Sequence, residues 1–177
     1  MKKISVALLS AALLAPLVLA LGGCQTCKPG KPGPVTHFPL QIALAASLEG
    51  KSVTVDLVGV NKPGRERWEA YSMTKYWKDG DPFRANAAKK TFNFTSTSAL
   101  STNLPPTDAV WPQWTSQAAA YVFVLVDLPG AHPDQIGSLD ARRQLLSLDL
   151  CDWPADTKQL KVLITEGGPQ VTPVQGK

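Results

Sequence analysis

The stretch KSVTVDLVGV, residues 51–60, places Val53, Val55 and Leu57 on one side of an extended chain and Thr54 and Asp56 on the other. Successive side chains of a strand point to opposite faces, so a period of two demands a β-strand with one face turned to a core. The same alternation recurs in KTFNFTS (90–96), where Phe92 and Phe94 oppose Thr91 and Asn93. LQIALAAS (40–47), ARRQLLSLDL (141–150) and KQLKVLITE (158–166) are further short strand candidates. AAAYVFVLVDL (118–128) is the most apolar run outside the amino terminus. Its Val, Tyr and Phe content predicts a central strand buried on both faces. Glu49-Gly50 between the first two strands predicts a hairpin-like pairing of 40–47 with 51–60. A parallel α/β fold would need a helix after nearly every strand, and this chain does not supply them. The fold class expected is mainly β, a β-sandwich with one short inserted helix.

That helix is expected over RERWEAYSMTKYW (65–77). Trp68, Tyr71 or Ser72, and Lys75 share a helical face there, and KDGDP (78–82) stops it. Its aromatics are expected to supply burial rather than to stand free for a partner. LPPTDAVWPQW (104–114) carries too much proline for regular structure and reads as a crossing loop. Trp111 and Trp114 then either close over the core or stand at its rim. GGPQVTPVQGK at the carboxyl end reads as a flexible tail from residue 169 to 177.

The amino terminus has a different logic. Lys2 and Lys3 precede an uncharged run from Ile4 to Leu21 that ends in Leu21-Gly22-Gly23-Cys24. A basic start, an apolar middle and small residues at the end make a secretory signal peptide. A transmembrane anchor is the competing reading, although the run is at the lower length limit for spanning and Pro16 interrupts it. Leu-Gly-Gly-Cys resembles the lipobox of bacterial lipoproteins. That resemblance implies a diacylglyceryl thioether on Cys24, cleavage before it, and acylation of the new amino terminus. Two or more acyl chains anchor firmly where one does not. Gln25 follows the cysteine where aspartate would favour the inner membrane, so the resemblance implies an outer-membrane address within the cell envelope. The organisation expected is a signal peptide (1–23), a lipidated tether (24–36), a sandwich domain (37–168) and the tail.

Of the 177 residues, those left after cleavage suffice for one domain with a real core. The net charge of +4 is partly a targeting feature, because Lys2 and Lys3 leave with the signal. No basic stripe suited to nucleic acid remains. With Cys24 taken by lipid, Cys27 and Cys151 are an even pair in an oxidising compartment. They are expected to bond, the alternative being two free thiols. KPGKPGPV (28–35) reads as a Pro/Gly spacer reaching at most about 25 Å at roughly 3.1 Å per residue.

Catalytic chemistry is not indicated. G-x-S-x-G, H-E-x-x-H, P-loop and G-x-G-x-x-G patterns are missing from the sequence, and His37 and His132 stand far apart in it. No enzyme activity, metal or cofactor is expected. Asp134 and Asp140 with Arg142 and Arg143 read as a surface ion-pair network in preference to a calcium site. YWKDGDPFR (76–84) reads as a helix stop in preference to a sugar or peptide contact.

At domain level the plan resembles the TssJ family of type VI secretion lipoproteins, in which a transthyretin-like sandwich hangs from a lipidated cysteine. LQIALAAS and SVTVDLVGV resemble its first pair of strands, the aromatic stretch 68–77 its inserted helical segment, and YVFVLVDL with RRQLLSLDL its late hairpin. The resemblance implies a scaffold or adaptor that binds a protein partner in the envelope. The alternative is a lipoprotein that takes a small ligand or an envelope polymer through loops near Trp111, Trp114 and His132.

Overall fold

The computed structural model describes Cys27, Lys28 and residues 31–176. The expected signal peptide and Cys24, the expected lipid attachment site, lie outside these described residues. Eight strands form two four-stranded sheets, with β1 Leu40–Leu44, β2 Val53–Val60, β3 Lys89–Phe94, β4 Ser101–Leu104, β5 Tyr121–Asp127, β6 Arg143–Ser147, β7 Thr157–Thr165 and β8 Gly168–Gln175. One sheet has the order β4-β1-β7-β8 and the other β3-β2-β5-β6. Four short helices join them: α1 Arg65–Ala70, α2 Met73–Tyr76, α3 Pro82–Ala85 and α4 Val110–Ser116. The fold is a β-sandwich.

Alternation explains the core. Leu40, Ile42 and Leu44 of β1, Val53, Val55 and Leu57 of β2, Val122, Val124 and Val126 of β5, and Leu160, Val162 and Ile164 of β7 meet between the sheets. The opposite faces of β2 and β5 present Val58, Val60, Phe123 and Leu125 to the layer made by α1–α3, where Met73 and Tyr76 are buried against them. β5 is therefore buried on both sides. Asp56, expected to face water, lies beneath this helical layer. Its carboxylate accepts from Thr91 Oγ1 (2.5 Å), Tyr76 Oη (3.0 Å) and Arg84 Nε (2.8 Å). A buried carboxylate is tolerable only with such partners.

Five expectations need correction. First, β1 and β2 do not pair. β1 lies parallel to β7 and antiparallel to β4, while β2 pairs with β3 and β5. The turn Ala46–Leu48 carries the chain from one sheet to the other and buries Leu48 between them. Second, 65–77 is two helices. Tyr71 is extended, and Ser72 caps α2 by accepting from Lys75 N, because a serine at an N-cap competes with helix continuation. Third, the proline-rich 104–114 contains α4. Pro112 falls in its first turn, where an N–H has no helical partner to lose. Fourth, the six expected strands omit β4, which at four residues is too short to announce itself. Fifth, the supposed tail is β8. It pairs with β7 along its length, and its Pro169 and Pro173 are accepted because β8 ends its sheet.

Trp114 fixes how closely α4 approaches the sheet. A methyl on Gly59 of β2 would stand 2.3 Å from Trp114 Cγ and Cδ1. The indole cannot retreat, being fully buried with Nε1 donating to the Ala88 carbonyl at 2.8 Å. Gly59→Ala is expected to destabilise the domain by about 1–3 kcal/mol through overpacking. Thermal melting checks this, and an unchanged midpoint would show that α4 is free to shift.

Candidate functional site

Two places carry more construction than the core needs. The first is the junction of tether and domain. Cys27 and Cys151 are bonded, with Cα atoms 5.4 Å apart across 124 positions of sequence. The tether is then stitched on by Gly33 N donating to Asp149 Oδ2 (2.7 Å), Leu150 N to the Pro34 carbonyl (3.0 Å) and Thr36 N to the Leu148 carbonyl (2.8 Å). Residues from 33 onward are thus part of the sandwich, and the spacer ends sooner than KPGKPGPV suggests. Gly33 is required, since a Cβ there would stand 2.4 Å from both Cys151 Sγ and Asp149 Oδ1.

The second place is the loop 128–142 between β5 and β6. Asp134, Asp140, Arg142 and Arg143 were expected on the surface, but Asp140, Arg142 and Arg143 are buried. Arg142 donates from Nε to Asp140 Oδ1 (2.9 Å), and from Nη2 to Asp140 Oδ2 (2.8 Å) and Asp134 Oδ1 (2.6 Å). Asp134 also accepts from Thr74 N, Thr74 Oγ1 and Ser72 Oγ, which couples the loop to the start of α2. Asp140 accepts in addition from the backbone N–H of Gln135 and Arg142. Arg143 serves the backbone alone. Its guanidinium donates to the carbonyls of Trp68 and Tyr71 at the end of α1, and to those of Gln135 and Gly137 in the loop. Cationic side chains suit carbonyls left open at a helix C-terminus.

The electrostatics follow from these contacts. Burial alone would push the Asp140 carboxyl up. The guanidinium of Arg142 and the backbone N–H groups outweigh it and hold the carboxyl below the usual range. Asp134 follows the same balance, with Ser72, Thr74 and Arg142 donating to the ionised form. Burial lowers the Arg143 guanidinium from its ordinary value.

Trp111 and Trp114, candidates for ligand contact, are core residues. Both are fully buried, meet edge to face at 4.9 Å, and spend their indole N–H groups on the carbonyls of Pro105 and Ala88. His132 is not brought to them. Its Nε2 donates to the Pro129 carbonyl at 3.3 Å, and it lines a different cavity with Trp77, Lys78, Asp127 and Arg142. His37 stacks on Trp111 at 4.6 Å instead. The aromatic cavity lies elsewhere, an open volume of about 440 Å³ lined by Trp68, Tyr71, Phe83, Arg67, Asn86 and Gln117. The arginine clamp had one sequence signal. A period of two along β6 puts Arg143 on the same face as Leu145, hence beneath the helices; its targets are backbone carbonyls that no sequence pattern names.

No protein-family model matches the chain, and no curated protein matches it. Among solved structures it is similar to a chain in the structure of the T6SS protein TssM C-terminal domain (869–1107) from EAEC, with 16% identity, TM-score 0.48, and coverage of 76% of this chain and 99% of that one. A chain of a type VI membrane complex matches at 17% identity and TM-score 0.47, covering 77% of this chain and 96% of the other. Lip of Serratia marcescens, a membrane-bound component of the type VI secretion system, matches at 12% identity and TM-score 0.44, covering 79% and 99%.

Proposed function

We propose that this chain is a lipid-anchored scaffold or adaptor facing the periplasm, without catalytic activity, and that it serves a secretion apparatus of the type VI kind from the outer membrane. The observation that carries the reading is the Cys27–Cys151 bond. Only three steps of chain separate Cys24 from Cys27. Three residues reach at most about 10 Å, so a lipid on Cys24 would hold one end of the sandwich against the bilayer. A diffusing enzyme or carrier gains little from so short a leash, whereas an adaptor that presents one end to a partner needs it. The sequence resemblance of YVFVLVDL and RRQLLSLDL to the late hairpin of the TssJ family supports the type of apparatus.

The test is Cys24→Ser in cells fed labelled palmitate. The unaltered protein is expected to take up label and to fractionate with the outer membrane. The serine variant is expected to lose the label and to accumulate unprocessed or soluble. Label kept by the serine variant would overturn the anchor.

A further inference from the structure

An open cavity of about 570 Å³ lies at the end of the sandwich that carries the disulfide, between the tether and the carboxyl end of α4. Its wall includes Val35, Pro63, Ala118, Ala119 and Ala120. The polar side chains around it are engaged with their neighbours. Thr115 Oγ1 donates to the Trp111 carbonyl (2.9 Å) and accepts from His37 Nε2 (3.2 Å). Asn61 donates to the Gln117 carbonyl and accepts from Gly64 N. The amides of Ala118, Ala119 and Ala120 donate to the carbonyls of Thr115, Trp114 and Val60. Lys62 lines the wall as well, and a lysine lays its methylenes along an apolar surface while its ammonium stays in water. What the cavity offers an occupant is therefore methyl and methylene surface. Ala118 adds to that surface from a strained position. It has a left-handed backbone (φ 53°) just past the last turn of α4, where glycine is the usual residue because it has no Cβ to crowd.

The tether leads to this cavity. Cys27 is bonded to Cys151, and a Cβ on Gly33 would stand 2.4 Å from the Cys151 sulfur. Gly33, Val35, Lys62 and Ala120 line a smaller cavity of about 160 Å³, and the last three of them line the larger one too. The two adjoin along Val35, whose side chain is 56% exposed. Val35 is two residues from Gly33, about 7 Å, and Cys24 is three residues from Cys27, about 10 Å. An acyl chain extends through half of a bilayer's hydrocarbon core, about 15 Å. That is enough to enter the larger cavity from an amino terminus on so short a leash.

We propose that this cavity holds the amide-linked acyl chain of the protein's own amino terminus, the chain carried by the nitrogen of Cys24. The chain itself comes from the lipid-anchor reading, on which this assignment rests. Two acyl chains anchor a protein firmly, so the two on the glyceryl group suffice for the membrane and the third is free for the domain. The amide-linked chain is the one joined to the polypeptide without a glyceryl linker. Its burial would cover Val35, seal the edge between tether and α4, and fix which face of the sandwich lies along the bilayer.

The test feeds cells a fatty acid bearing a diazirine and an alkyne, so that the full-length lipoprotein takes up photoactivatable chains at Cys24. After illumination, reduction and proteolysis, mass spectrometry is expected to find the peptide that begins at Cys24 joined through its acyl chain to the peptide holding Thr115 and residues 118–120. The link should survive mild alkali, which cleaves ester-bound chains and leaves the amide. Ala118→Asn introduces a residue that tolerates the left-handed backbone and sets a polar amide into the apolar wall. Val35→Asp sets a charge at its exposed rim. Each is expected to lower the yield of the link about tenfold, with palmitate uptake and the melting midpoint unchanged. The assignment is overturned by labelled protein without the link, by a link lost in alkali, or by a link to a second copy of the chain. A free fatty acid or a phospholipid joined to residues 118–120 in its place overturns it too, as does an undiminished yield in both variants. Every one of these outcomes leaves the anchor standing. Protein that takes no label at all overturns the anchor, and the assignment with it.

Discussion

Replacing Cys27 and Cys151 by serine is expected to lower the stability of the domain by about 2–5 kcal/mol, among the largest effects of any change outside the core. The bond closes a loop with a sequence separation of 124, nearly the whole domain, so its removal returns much conformational freedom to the unfolded chain. The folded state should survive, because Gly33, Pro34 and Thr36 keep their backbone bonds to Asp149, Leu150 and Leu148. For a domain of this size the melting midpoint should fall by roughly 5–15 °C. Circular dichroism of the oxidised protein against the double-serine variant measures it. A shift under about 2 °C would mean that the unfolded chain is already held compact. Losing the bond should also lengthen the leash, since the domain would then be tied from Gly33 and a lipid on Cys24 would stand up to about 30 Å away.

Arg142→Ala is expected to cost about 3–5 kcal/mol, because it leaves the buried Asp140 carboxylate without its cation and releases Asp134 from the loop. A double-mutant cycle with Asp140→Asn should be strongly non-additive, since the two side chains share two hydrogen bonds. Acid should act on the same network. Both carboxyls lie below their usual values in the folded protein. The stability they contribute is therefore present in full above the unfolded carboxylate value of about 4, and is lost as pH falls below it toward the folded values. Urea midpoints between pH 7 and pH 2.5 should decline below about pH 4.5 in the unaltered protein and less steeply in Asp140→Asn. Equal slopes would place the acid sensitivity elsewhere in the domain.

What could be read in the sequence was whatever depends on neighbours a few positions apart. Period-two alternation located β2 and β3, because the pleat itself puts every second side chain on one face, and short apolar runs located β1, β6 and β7. The long Val/Phe run marked β5 as buried on both sides. Arithmetic on three cysteines left Cys27 and Cys151 as the even pair. The tertiary structure decided what depends on partners distant in the chain. β4 and β8 are strands only because β1 and β7 offer them edges, and the prolines of β8 are harmless only at the end of a sheet. Trp111 and Trp114 looked like contacts because aromatics serve rims and cores alike; α4 turned both inward, Trp114 over Gly59. Asp56, Asp140, Arg142 and Arg143 are charged residues whose default is water. Asp56, Arg142 and Arg143 find partners tens of positions away, and Asp140 is held by Arg142 and Gln135 close by, because a charge leaves solvent only where the fold assembles enough hydrogen bonds to replace it.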